Sequence, residues 1–206
     1  ELLEDASPKE RAAHLRTIEH NGEHVLRLLD NVLDHAGYQL GSSCLRSEET
    51  NIHTLAQETC DTFAPQAATK GLLLQLKIDD EVPRRISTDP TRLRQVICNL
   101  LANAVKFTNS GEVTMHLEHR ADIGQLTCHI SDTGIGLSSE ASARIFHAFQ
   151  KERGAGIHGT GLGLHISREI AEALGGSLDV ESSEGVGSTF TLRIPAAKIS
   201  TESDHA

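Results

Sequence analysis

Residues 99–108 read Asn-Leu-Leu-Ala-Asn-Ala-Val-Lys-Phe-Thr and close a segment that begins at Pro90. An Asp precedes that proline, a typical helix start, because the carboxylate caps backbone N–H groups and proline fits the first turn. Apolar residues then recur at helical spacing, which predicts an amphipathic helix to Lys106. Asn99, Asn103 and Lys106 stand at i, i+4 and i+7, so they share a face of the helix that differs from the face of the apolar residues. Amide oxygens can ligate Mg²⁺ and a lysine can meet phosphate oxygens. The face is a candidate site for a metal-bound polyphosphate, with an ordinary polar helix face as the alternative.

Helical and strand patterns surround this segment. The predicted elements are a helix at 52–70, a strand at 72–78, strands at 112–118 and 125–131, a helix that ends at 175–176, and a hairpin of strands at 177–182 and 187–194. This order predicts an α+β fold, a two-layer α/β sandwich with helices on one face of a mixed sheet.

The stretch Asp132-Thr-Gly-Ile-Gly136 directly follows an apolar strand. A carboxylate at a strand end can accept hydrogen bonds from an exocyclic amine such as that of adenine. Gly134 and Gly136 let the backbone turn close to a flat ring. A plain turn capped by an Asp is the alternative, and Asp-Thr-Gly also opens the signature of aspartic proteases.

A glycine-rich stretch, Gly-Thr-Gly-Leu-Gly-Leu at 159–164, precedes a helix. Closely spaced glycines expose backbone N–H groups, and a helix N-terminus favours anions. The sequence contains no G-x-x-x-x-G-K-[ST], which excludes a P-loop. Residues 154–159 match G-x-G-x-x-G but follow a charged segment instead of a strand, so the dinucleotide-binding interpretation lacks its required context.

Composition further narrows the range of possible functions. The chain has 206 residues, a net charge of −10 and 38% apolar residues, which suits one domain plus a smaller element. An acidic surface disfavours nucleic-acid binding that depends on counterion release. The four cysteines are widely spaced, as expected of buried thiols in a reducing compartment. The sequence shows no signal peptide and no apolar run that could cross a bilayer.

Five motifs occur in the order of the N, G1, F, G2 and G3 boxes of sensor histidine kinases. They lie at 99–108, 132–136, 145–149, 159–164 and 185–190. The chain resembles the catalytic domain of that family over residues 48–196. The resemblance implies the Bergerat-type ATP-binding fold shared with type II topoisomerases and mismatch-repair ATPases.

The resemblance also assigns roles to residues, with ATP and Mg²⁺ as cofactors. It implies that Asn103 is the chief metal ligand, with Asn99 beside it, and that Lys106 meets the phosphates. Asp132 would bind the adenine amine with Thr189 nearby. The remaining nucleotide contacts would come from Gly134, Gly136, Gly159, Thr160, Gly161, Leu162 and Gly163. A lid between the F and G2 boxes would include Phe146, Phe149, Lys151, Arg153 and His158.

The N-terminal segment at 9–36 predicts an amphipathic helix whose apolar stripe needs a partner helix. It resembles the second helix of the family's dimerisation and phosphotransfer hairpin. We therefore expect a partial dimerisation region at 1–46, the catalytic domain at 47–198 and a polar tail at 199–206. His14 lacks the acid and proline of the acceptor box, so the acceptor histidine is expected upstream of residue 1.

The resulting hypothesis is a protein histidine kinase that transfers the γ-phosphoryl group of ATP to a histidine of the hairpin, for relay to a response regulator aspartate. Its expected partners are a second copy, through the hairpin, and a receiver domain; nucleic acid is not expected. The 206 residues alone are not expected to phosphorylate themselves. A cytoplasmic location is expected, and a membrane-anchored parent stays open. Two alternatives remain: a degenerate kinase that regulates a partner, and an ATPase clamp like the mismatch-repair proteins.

Overall fold

The computed structural model describes residues 45–148 and 161–196. The predicted helix at 9–36 and the tail at 199–206 lie outside these residues, so the proposed domain division stays a prediction. The described elements are β1 (Glu48–Asn51), α1 (Ile52–Thr69), β2 (Leu73–Ile78), β3 (Arg85–Thr88), α2 (Pro90–Phe107), β4 (Glu112–Arg120), β5 (Gln125–Asp132), α3 (Ser139–Arg144), α4 (Gly163–Ala173), β6 (Ser177–Ser183) and β7 (Gly187–Pro195). Each helix and strand predicted within the described ranges is present, with ends that coincide or differ by no more than three residues.

Five strands form a sheet in the order β2-β4-β5-β7-β6. Strands β2 and β4 run parallel, whereas the other neighbours are antiparallel. The mixed sheet is therefore confirmed.

The long helices cover one face of this sheet. Helix α1 packs against β2 and α2, helix α2 against β4 and β5, and helix α4 against α2, β6 and β7. On β4 the alternate residues Val113, Met115 and Leu117 are completely buried beneath the helices. The residues between them point away from the helices, as the period of two requires. The expected two-layer sandwich is confirmed.

The second face of the sheet is polar. We call it the polar face; its residues on the three central strands are Thr114, His116, Glu118, Thr127, His129, Ser131, Thr189, Thr191 and Arg193. In the described part of the chain, no helix combines the length and the apolar character that a membrane span requires.

Three short elements were not predicted. Strands β1 and β3 pair antiparallel as a small separate sheet, and α3 is a six-residue helix. Each of the two strands has four residues, too few for a visible alternation, and β1 buries only Thr50. Their position depends on tertiary contacts instead: Ile86 is completely buried, and the Arg46 N–H donates to Asp89 Oδ2 at 3.0 Å.

Both ends of α2 are fixed by side chains. The Asp89 carboxylate caps the start, accepting the Arg92 N–H at 3.0 Å, as the sequence predicts. At the other end, Lys70 Nζ donates to the carbonyl oxygens of Val105 and Lys106, each at 2.8 Å, and of Thr108 at 3.1 Å. A cation on the last carbonyls of a helix also suits the negative end of its dipole. The end of α2 that carries Lys106 is thereby held against α1.

Candidate functional site

Helix α2 presents the predicted polar arc. Asn99, Asn103 and Lys106 are all half-buried, while the predicted apolar stripe of the same helix is buried against the sheet. The Lys106 ammonium lies 5.0 Å from the centroid of the Phe107 ring. The structure thus separates the two amides and the lysine from the core-forming face of α2, as the spacing predicts.

Asn99 joins α2 to the beginning of α4. Its Nδ2 donates to Ser167 Oγ at 2.8 Å, and Ser167 is buried. A Cβ at Gly163 would lie 2.5 Å from Asn99 Oδ1, so a side chain there would displace the Asn99 amide. The amide oxygen is therefore turned toward the first residue of α4. Ser167 was not singled out from the sequence, because a serine inside an amphipathic helix gives no signal of a partner on another helix.

Helix α4 starts where the predicted phosphate loop ends. Gly161 has φ +72°, and Leu162 is the N-cap residue of α4. A helix start of this kind carries partial positive charge and suits an anion. Gly159 and Thr160, the first residues of the predicted loop, lie outside the described residues.

Asp132 is the last residue of β5, and its carboxylate is tied to the following turn. Oδ1 accepts the Gly134 N–H at 2.8 Å. Burial raises the pKa of the Asp132 carboxyl above its ordinary value, while backbone N–H groups of Gly134 and Ser188 act in the opposite direction. The groups that lower this pKa are backbone N–H groups and not a cation. A half-buried carboxylate in such surroundings is suited to accept a hydrogen bond from a neutral donor.

The glycines around Asp132 allow three chain segments to approach closely. A Cβ at Gly134 would lie 2.6 Å from the Phe107 carbonyl oxygen, and one at Gly136 would lie 2.0 Å from that of Ser183. A Cβ at Gly187 would lie 1.9 Å from the Asp132 carbonyl oxygen. Any side chain at these positions would displace the backbone around Asp132.

The residue opposite Asp132 is Ser188, whereas Thr189 was predicted to lie near it. In the register of β5 and β7, Asp132 faces Ser188 and Ser131 faces Thr189. The Thr189 hydroxyl is 2.9 Å from the Ser131 hydroxyl on the polar face, so it points away from the helix side. The buried Ser188 hydroxyl instead lies 2.9 Å from Ser182 Oγ. The two neighbouring hydroxyls at 188 and 189 look equivalent in the sequence, and only the strand register separates them.

Phe146 is the one predicted lid residue within the described ranges. Its ring meets that of Phe190 edge-on with centroids 6.4 Å apart, and the Arg168 guanidinium lies 5.3 Å from its centroid. The Phe146 carbonyl oxygen is 3.0 Å from His165 Nδ1. Phe146 therefore anchors its segment to β7 and α4. The other predicted lid residues, Phe149, Lys151, Arg153 and His158, lie outside the described residues.

Comparison with known proteins shows which family the chain resembles. Residues 88–198 match the family described as "Histidine kinase-, DNA gyrase B-, and HSP90-like ATPase". The chain is 36% identical over 195 residues to the sensor protein GacS of Pseudomonas syringae pv. syringae, covering 90% of this chain and 21% of GacS. It is 35% identical over 200 residues to the signal transduction histidine-protein kinase BarA of Escherichia coli K12, covering 94% and 22%. The chain thus spans about a fifth of the length of these relatives.

Solved structures share the fold. Full-length ShkA in complex with AMPPNP superposes with a TM-score of 0.80 at 32% sequence identity, covering 97% of this chain and 42% of ShkA. The catalytic domain of the histidine kinase ThkA, in a nucleotide-free form, gives a TM-score of 0.64 at 28% identity, covering 74% of this chain and 97% of that domain.

Proposed function

This chain belongs to the histidine kinase-, DNA gyrase B- and HSP90-like ATPase family, and from that membership we propose that it binds Mg²⁺-ATP as the catalytic region of a protein histidine kinase. The observation that supports this most directly is the placement of Asn99 and Gly163. Asn99 belongs to the polar arc of α2 and lies against the start of α4, so candidate metal ligands and a candidate phosphate site are adjacent.

In this proposal, Asp132 accepts a hydrogen bond from the exocyclic amine of adenine. Its raised pKa reflects a carboxylate removed from water, which is the environment in which a single neutral donor is worth most. Ser188 takes the place near the adenine that the sequence assigned to Thr189, because it is buried and directly opposite Asp132. Because Gly134 and Gly136 have no side chains, the backbone at these residues can lie close to the adenine ring.

Asn99 and Asn103 would hold the metal. Because Asn99 Nδ2 is used by Ser167, the amide oxygen of Asn99 is the atom left for a hard cation. Asn103 lies one turn further along the same arc, with Lys106 beyond it. Bound Mg²⁺ supplies neutralisation of phosphate charge, while Lys106, Gly161, Leu162 and Gly163 position the phosphates.

The proposed reaction moves the γ-phosphoryl group from ATP to an imidazole nitrogen, and ADP leaves. Positioning and charge neutralisation account for most of the work of such a domain. The acceptor histidine would lie on a dimerisation hairpin outside the described residues, and a response regulator receiver domain would take the phosphoryl group next. Support for these steps comes from the relatives, among them a histidine-protein kinase.

Calorimetric titration with ADP tests the metal assignment. In the presence of Mg²⁺, Asn103→Ala should weaken ADP binding about 10-fold or more, in the range seen when one element of a metal site is lost. In EDTA the same variant should bind ADP almost like the unaltered chain, because no metal is present to be lost. Asn109→Ala, an exposed asparagine just after α2, is the matched control and should bind normally in both conditions. Equal losses for Asn103→Ala with and without Mg²⁺ would remove it from the metal shell.

A further inference from the structure

The last turn of α2 ends in backbone carbonyl groups that the helix itself cannot satisfy. Lys70, the C-cap residue of α1, supplies donors for three of them. Its Nζ lies 2.8 Å from the carbonyl oxygens of Val105 and Lys106 and 3.1 Å from that of Thr108. An ammonium group has three N–H donors, so Lys70 is matched by three acceptors at the end of the neighbouring helix.

The carbonyl of Phe107, within the same turn of α2, has a different partner. It accepts the Ile135 N–H at 3.3 Å, from the turn that follows Asp132. A Cβ at Gly134 would lie 2.6 Å from the same carbonyl oxygen, so this turn lies directly against the end of α2. A shift of the last turn of α2 would therefore move the turn beside Asp132 as well.

We propose that Lys70 is a positioning residue for nucleotide binding. None of the five sequence motifs includes it. This inference rests on the proposed function, because it requires that Lys106 and Asp132 contact the nucleotide. Lys106 belongs to the turn that Lys70 holds, and Asp132 precedes the turn that lies against Phe107. By fixing the last turn of α2, Lys70 fixes the spacing between the proposed phosphate-binding lysine and the proposed adenine-binding carboxylate.

A lysine suits this position for reasons of charge and shape. Its compact ammonium can donate to acceptors in several directions, whereas an apolar side chain of similar length, such as methionine, has no donor. Its positive charge also lies at the negative end of the α2 dipole. Because Lys70 is exposed, its replacement should leave the apolar core intact. An effect on nucleotide binding can therefore be measured on a folded protein.

Calorimetric titration of the full 206-residue chain with ADP and Mg²⁺ tests the proposal. Lys70→Met should raise the dissociation constant of ADP roughly 10-fold, as when a residue that supports metal ligands is removed. Lys70→Arg keeps a cation with several N–H donors and should recover most of that affinity. Lys77→Met, which changes an exposed lysine of β2, is the matched control and should bind ADP normally.

Hydrogen exchange of the nucleotide-free chain gives a second readout that does not depend on ADP. The Ile135 amide should exchange faster in Lys70→Met, because its acceptor, the Phe107 carbonyl, is no longer held in place. The amide of Ile130, on a strand that is paired on both sides, should keep its protection. Equal acceleration at both amides would show a general loss of stability and would count against a positioning role.

The outcomes separate this inference from the proposed function. An unaltered chain that does not bind ADP would overturn the proposed function. ADP binding by the unaltered chain with an equal dissociation constant in Lys70→Met would overturn the positioning role alone. A Lys70→Met sample that binds fewer equivalents of ADP with unchanged affinity is partly unfolded, and that result would also overturn the positioning role.

Discussion

The two faces of the central strands differ in what their side chains do. On the helix side of β4, Val113, Met115 and Leu117 are completely buried and make up the core. On the polar face of the same strand, Thr114, His116 and Glu118 are only half-buried, and His116 and Glu118 contact each other. One face therefore supplies stability through packing, and the other can be changed at little cost to the fold.

The candidate adenine site lies at the end of the helix-covered face, where packing stops. Asp132 continues the inward-facing series of β5, yet it is a carboxylate instead of an apolar residue. Such a residue costs stability for the sake of binding. The contrast between the faces thus predicts where substitutions harm the fold, where they harm binding, and where they do neither.

The largest effect is expected from Gly187→Ala, at the edge where β7 meets Asp132. Its φ of +135° and the 1.9 Å approach of a Cβ to the Asp132 carbonyl oxygen add strain to overpacking, for a loss of about 2–6 kcal/mol in the free energy of unfolding. Gly185→Ala is the matched control. It also has a positive φ, +77°, but a Cβ there meets nothing within 4 Å, so only about 1–2 kcal/mol should be lost. Urea unfolding measures both, and equal losses would show that steric contact with Asp132 is unimportant.

The next largest effect on stability is expected on β4, where Met115 and its neighbour Thr114 face opposite sides of the sheet. Met115→Ala removes a completely buried side chain and should lower the free energy of unfolding by about 2–5 kcal/mol. Thr114→Ala, on the polar face, should change it by no more than about 0.5 kcal/mol. Thermal unfolding of the two variants gives the answer, and a Thr114 variant as unstable as the Met115 variant would contradict the division of the faces.

A smaller effect than that of Met115→Ala, with the opposite sign, is expected from Asp132→Asn. Because burial raises the folded-state pKa of Asp132 above the ordinary value of 3.8, the folded protein binds more protons than the unfolded chain in the pH range just above 3.8. Stability is therefore lost as pH rises through that range, and the loss persists at neutral pH. Asparagine avoids this cost and should add about 0.5–1 kcal/mol at pH 7, while ADP binding weakens.

Urea unfolding at pH 7 and near pH 4 checks the sign. The gain for Asp132→Asn should be present at pH 7 and shrink toward the lower pH. A gain that is independent of pH would show that the charge of Asp132 is not its cause.

The main helices and strands could be predicted because they bury long periodic stripes, as α2 does from Leu93 to Ala104. Strands β1 and β3 could not, since four residues with one or two buried positions carry no readable pattern. At the site, the polar arc of α2 followed from helical spacing alone. The Asn99–Ser167 contact and the choice of Ser188 over Thr189 depend on how separate elements are placed against each other. Local sequence does not encode that placement.

The pairing of β5 with β7 has a consequence for folding. Strands β4 and β5 form one hairpin and strands β6 and β7 another, so each can assemble from neighbouring residues. Asp132 and Ser188 are brought together only when the two hairpins dock, which is a non-local and hence slower step than forming either hairpin. A ligand that needs both residues binds the finished sheet and neither hairpin alone. Nucleotide in the surroundings of a newly made chain would therefore stabilise only molecules that have completed this docking.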